Sequence, residues 1–72
     1  MAEQGHARAQ VSLGNMYVKL KDYTEAVRWY RAAAEQGHTW AQVFLGVMYG
    51  NGEGVPEDDA EAVRWALSEE NS

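Results

Sequence analysis

At 72 residues, with no cysteine and a formal net charge of −5, the chain makes one domain at most, and disulfides and thiolate metal sites are excluded. The charge is lopsided: residues 1–36 carry five basic against four acidic side chains, or +1, whereas residues 37–72 carry Arg64 alone against seven acids, or −6. That balance disfavours a phosphate backbone as ligand, since nucleic-acid affinity rests on clustered Lys and Arg, and no apolar run is long enough to span a membrane.

Taken in chain order, the elements come twice. Ala2 to His6 reads AEQGH and returns at Ala34 to His38; Ala9 to Tyr17 reads AQVSLGNMY and returns as AQVFLGVMY at Ala41 to Tyr49; Glu25 to Trp29 reads EAVRW and returns at Glu61 to Trp65. A repeat of this period signals a solenoid whose units bury their apolar faces by stacking. The spacing divides the chain into a remnant of a preceding repeat (1–5), a first repeat (6–37) and a second (38–70), all in one domain. Two repeats fall short of the roughly three that a solenoid usually needs, so either neighbours have been removed or copies of the chain associate.

The first helix, A, is expected from about Ala7 to Leu20, because Ala9, Leu13, Met16, Tyr17 and Leu20 recur at the spacing of one helix face. AEQG before it reads as the last turn of a missing helix. Asp22 and Glu25 form a capping-box pattern that opens helix B, Ala26, Trp29, Tyr30 and Ala33 continue it, and Gly37 ends it. In the second copy Thr39 and Gln42 are the expected cap of helix A, and Asp58 and Glu61 that of helix B. The four extra residues of this copy fall in the connection GNGEGVPEDD. Gly14 and Gly46 lie inside helices at a cost of about 0.5–1 kcal/mol each relative to alanine, which implies close packing at both. The second helix B ends in WALSEENS where the first has WYRAAAEQG, with Ala66 for Tyr30 and Glu69 and Glu70 for Ala33 and Ala34; charging small packing positions suits an end that faces water.

Together AxAQVxLGxMY, GxGVPxDxxEAVRW and AAAEQGH, in this order and spacing, resemble the Sel-one-like repeat, a relative of the tetratricopeptide repeat, over nearly the whole chain. The resemblance implies an all-α fold: an α-α superhelix, or right-handed solenoid, of two helix-turn-helix repeats and four helices. It also implies a non-catalytic scaffold that binds a protein or peptide, with no cofactor. The first copy departs from the family pattern in its shorter KLKDY turn.

Comparing the copies separates framework from surface. Identical positions in helix A build the stack; the differing ones, Arg8, Ser12 and Asn15, share another face, and their counterparts are Trp40, Phe44 and Val47. Related helical repeats line their concave groove with helix A, so the resemblance places Arg8, Val11, Asn15, Val18 and Lys19 beside Trp40, Val43, Phe44, Val47 and Asn51. An apolar row headed by tryptophan and flanked by bases suits a partner with an apolar anchor and an acid. The same apolar spacing also fits packing against a neighbouring repeat, Phe44 more readily than Trp40. The alternative function is a structural or self-associating end of a longer array with no ligand of its own, pairing through exposed repeat ends.

Other chemistry finds little support in the residues. His6 and His38 read as turn-capping rather than metal ligands. The acids from Glu53 to Glu61 do not match a calcium loop, and GNGEGV lacks the strand and Lys-Ser or Lys-Thr of a phosphate loop. No nucleophile has a base in reach, which argues against a hydrolase.

Overall fold

The structure, a computed structural model, describes the backbone of residues 2–71 and the side chains of residues 6–67. Four helices follow one another: α1 (Ala2–Lys19), α2 (Tyr23–Glu35), α3 (Thr39–Asn51) and α4 (Asp59–Asn71). Each packs on its neighbours in the chain, α1 on α2, α2 on α3 and α3 on α4. The result is an all-α solenoid of two hairpins, 33 × 31 × 12 Å across its Cα atoms. In so thin a body the best-covered residues lie at the middle of the stack, where Val27, Tyr30 and Ala34 of α2 and Ala41, Leu45 and Met48 of α3 are buried.

The helix starts follow from short-range chemistry repeated in both copies. The Asp22 carboxylate accepts the amide of Glu25 at 3.4 Å, and Asp58 accepts that of Glu61 at 3.1 Å. The reciprocal half of a capping box is absent. The amide of Asp22 donates to the Tyr17 carbonyl at 2.9 Å and that of Asp58 to Tyr49 at 3.0 Å, tying each helix B to the helix A before it. Glu25 and Glu61 turn to Arg28 and Arg64 instead, at 2.9 and 3.0 Å, exposed pairs that contribute about 0.3–0.5 kcal/mol each.

Three expectations from the sequence are corrected. Thr39 does not cap α3; His38 does, its Nδ1 accepting the amide of Ala41 at 3.4 Å, while Gln42 turns inward and donates to the Ala34 carbonyl at 3.3 Å. The first helix begins at Ala2 rather than Ala7. The letters AEQGH thus break the chain at 34–38, where Gly37 takes φ +85°, yet stay helical at 2–6, so His6 is a helix residue next to the Gln10 amide rather than a turn cap. The third correction concerns the buried face of α1, which is Ala7, Gln10, Val11 and Gly14; Ala9, Met16 and Leu20 point to solvent.

That last difference is tertiary in origin. Met16 is 59% exposed, and its duplicate Met48 only 4%. The residues are the same, but α3 is covered by α2 on one side and α4 on the other, whereas among the described residues α1 packs mainly on α2. The opposite end behaves likewise: Val27 of α2 is 5% exposed and its duplicate Val63 of α4 is 55%. The charged replacements Glu69 and Glu70 lie outside the described side chains.

Three glycines answer to close approach. A Cβ on Gly14 would lie 2.6 Å from the Tyr30 ring, and one on Gly46 would lie 3.2 Å from the Ala62 carbonyl oxygen, so a ring crosses the first helix where backbone approaches the second. Gly54, at φ +76°, has no room for a side chain, since a Cβ would fall 2.3 Å from the Tyr23 carbonyl oxygen. The inserted loop of the second repeat therefore rests on the first turn of α2 in the first repeat, and Val55 packs against the core beside it.

Candidate interaction site

Spacings of four, three and four residues align Arg8, Ser12, Asn15 and Lys19 on α1, and spacings of four and three align Trp40, Phe44 and Val47 on α3. The structure leaves Arg8, Asn15, Lys19, Trp40 and Val47 exposed and Val43 and Phe44 half-buried. Val11 is the exception to the expected surface, because it sits in the core cluster. Of the two flanking residues, Val18 is half-buried and Asn51 exposed.

What joins the two rows is a residue that the sequence marks only as part of helix B's apolar period. Tyr30 of α2 lies between them, 3% exposed. Its hydroxyl donates to the Asn15 side-chain oxygen of α1, and its ring meets that of Phe44 in α3 with centroids 5.2 Å apart. Phe44 in turn stacks on Trp40 at 6.1 Å. Three rings thus run from the buried centre of the stack to an indole that is 65% exposed. Offset and tilted ring pairs at such distances contribute about 0.5–1.5 kcal/mol beyond their buried area, which favours the conformer of Trp40 that stacks on Phe44. Phe44 is accordingly a packing residue with one open edge, and Trp40 is surface. Burial raises the Tyr30 phenol above its ordinary value of 10.0, which keeps it neutral and able to donate to Asn15.

Elsewhere the polar groups serve the frame. Gln36 donates to the Gln10 side chain at 2.7 Å, and the Arg31 guanidinium donates to the Tyr49 hydroxyl while lying 5.7 Å from the centre of that ring. Trp29 and Trp65, at equivalent positions in the two repeats, are half-buried, and neither indole N–H has a partner among the described residues. Among the described residues no group of three or more His, Asp or Glu side chains could hold a metal ion, and no helix is long and apolar enough to cross a membrane.

Two helical hairpins stacked in series, with short connections and an aromatic row that runs from the buried Tyr30 of α2 to the exposed Trp40 of α3, define a helical-repeat scaffold. The family model for the Sel1 repeat matches residues 7–38 and again 41–68, and the chain belongs to the Sel1 repeat family. Sel1 repeats generally act as scaffolds in protein–protein interaction. No curated protein and no solved structure matches the chain significantly.

Proposed function

We propose that the chain is a non-catalytic module that binds a protein or peptide segment along the A helices, with Trp40 as the central contact. The observation that carries this is the exposed indole at the end of the row Trp40, Phe44, Tyr30. A large aromatic side chain that is exposed yet stacked on a packed neighbour suits a binding hot spot, because the stacking lowers the conformational entropy lost when a partner covers it. Val43 and Val47 extend the apolar surface along α3, and Arg8 and Lys19 on α1 form no ion pair with a described residue. A partner segment with an apolar anchor next to an Asp or Glu complements this face.

A random peptide library displayed on phage and selected against the chain tests the reading. Enriched peptides should pair an aromatic or aliphatic residue with an acid. Trp40→Ala should weaken their binding at least about tenfold while far-UV circular dichroism stays unchanged. Equal binding to Trp40→Ala, or loss of helix in that variant, refutes it.

The unequal exposure of duplicated residues supports a second reading, in which copies associate end to end. The exposed Ala9 and Met16 of α1 duplicate Ala41 and Met48, which are buried in α3 between α2 and α4; the exposed Val63 of α4 duplicates the buried Val27 of α2. Sedimentation over a concentration series should then show mass rising with concentration, and Met16→Glu should suppress the rise. A constant monomer mass removes this reading.

A further inference from the structure

The two repeats differ at one packing position in a way that leaves a vacancy in the second. In the first, the Tyr30 ring fills the space bounded by Gly14 and its neighbours on α1. Shifting helix A by 32 residues and helix B by 36, the duplicates of Val11, Gly14, Asn15, Ala26 and Tyr30 are Val43, Gly46, Val47, Ala62 and Ala66. A cavity of about 260 Å³ lies in the second repeat, and its lining is Val43, Gly46, Val47, Ala62 and Ala66. The lining thus repeats, position by position, Tyr30 and four residues of the first repeat that include Gly14 under its ring and Asn15 at its hydroxyl, with alanine at 66 where the ring would attach. Val47 and Ala66 are both exposed, so the cavity opens to solvent.

We propose that this cavity is a binding pocket for an aromatic side chain without a hydroxyl, a phenylalanine of a partner segment. The second difference between the copies sets the chemistry. Asn15, which accepts the Tyr30 hydroxyl, is replaced by Val47, so the wall that would meet a phenol oxygen offers no hydrogen bond. The repeat that supplies its own ring supplies a tyrosine and a matching amide; the repeat that lacks the ring presents apolar carbon there. The inference rests on the peptide-binding reading above, since Val43 and Val47 lie on the same α3 surface as Trp40 and Phe44, and it specifies which residue of the partner is buried.

Titration of the isotope-labelled chain with N-acetyl-phenylalanine amide, N-acetyl-tyrosine amide and N-acetyl-alanine amide, followed by amide shifts in nuclear magnetic resonance, tests it. The phenylalanine probe should move the amides of Val43, Gly46, Val47, Ala62 and Ala66 with millimolar affinity, the tyrosine probe should bind about three- to tenfold more weakly, and the alanine probe should not bind. Ala66→Tyr, which restores the first repeat's ring, should abolish binding without lowering the melting temperature; Ala66→Leu fills the pocket less completely and should act the same way should the larger ring disturb folding. Val47→Asn should remove the preference for phenylalanine over tyrosine. Shifts spread over other helices, binding that survives both fillings, or an unchanged preference in Val47→Asn overturns the proposal. Trp40→Ala keeps the two readings apart: binding of the small probe should persist in that variant although selected peptides are lost. Peptides that depend on Trp40 but not on an open pocket would leave the groove standing and the phenylalanine site refuted.

Discussion

Tyr30 joins three helices, and its removal is the most direct test of how the repeats are held together. Tyr30→Ala deletes a ring that is 3% exposed and lies over Gly14 and against Phe44. Truncating a buried aromatic side chain costs about 3–5 kcal/mol, of which the ring pair accounts for about 0.5–1.5 kcal/mol. Tyr30→Phe removes only the bond to Asn15, about 0.5–1.5 kcal/mol, and the exposed Asn15 side chain recovers water. At about 0.05–0.15 kcal/mol per residue, a chain of this length has a total stability of roughly 4–11 kcal/mol; a thin two-repeat body belongs near the lower end. Urea unfolding followed by circular dichroism should show Tyr30→Phe folded, with its midpoint lowered by about 1 M for a slope near 1 kcal/mol/M, and Tyr30→Ala with little or no folded baseline. Gly14 adds a change of sign. Gly14→Ala alone should destabilise, because the new Cβ would lie 2.6 Å from the ring. Paired with a truncated Tyr30 it should stabilise by about 0.5–1 kcal/mol through helix propensity; if Tyr30→Leu is used as a folded background, the sign is measurable there. Should Tyr30→Ala fall within about 1 kcal/mol of Tyr30→Phe, the ring is not what couples the repeats and the reasoning fails.

Gly54→Ala should lower stability by more than about 2 kcal/mol, since it combines a left-handed backbone with a collision against the Tyr23 carbonyl; a thermal melt within a degree of the parent would show that the inserted loop does not rest on α2. Alkaline pH should act through Tyr30. Its folded-state value is raised by burial, so the stability it contributes is whole below the ordinary tyrosine value of about 10 and is lost as pH climbs from there through the raised folded value. Urea midpoints at a series of pH values should fall over that window in the parent and fall less in Tyr30→Phe; parallel profiles would rule out the assignment.

The caps at Asp22 and Asp58, the break at Gly37 and the four-helix order were legible because each is encoded within three or four residues. Comparison of the copies set Trp40, Phe44 and Val47 on a face apart from the identical residues; Trp40 and Val47 are exposed there and Phe44 is half-buried. It misjudged α1, whose identical residues it took for framework throughout. Ala9 and Met16 are framework only where a second helix reaches them, and in this chain that happens at Ala41 and Met48 alone. Tyr30 escaped notice as a site residue although the signal was present in two substitutions, Asn15 to Val47 and Tyr30 to Ala66, which become one event only when α1 and α2 are brought together.

The sequence by itself determined the repeat, the helices and their starts, since hydrogen-bonding caps and apolar periodicity act between near neighbours along the chain. Only the tertiary structure decided which of two identical residues is buried, whether AEQGH bends or continues, and where the ring of one repeat leaves a vacancy in the next. Burial is a property of what lies against a side chain, and duplicated letters meet different neighbours at the edge of a stack and at its centre.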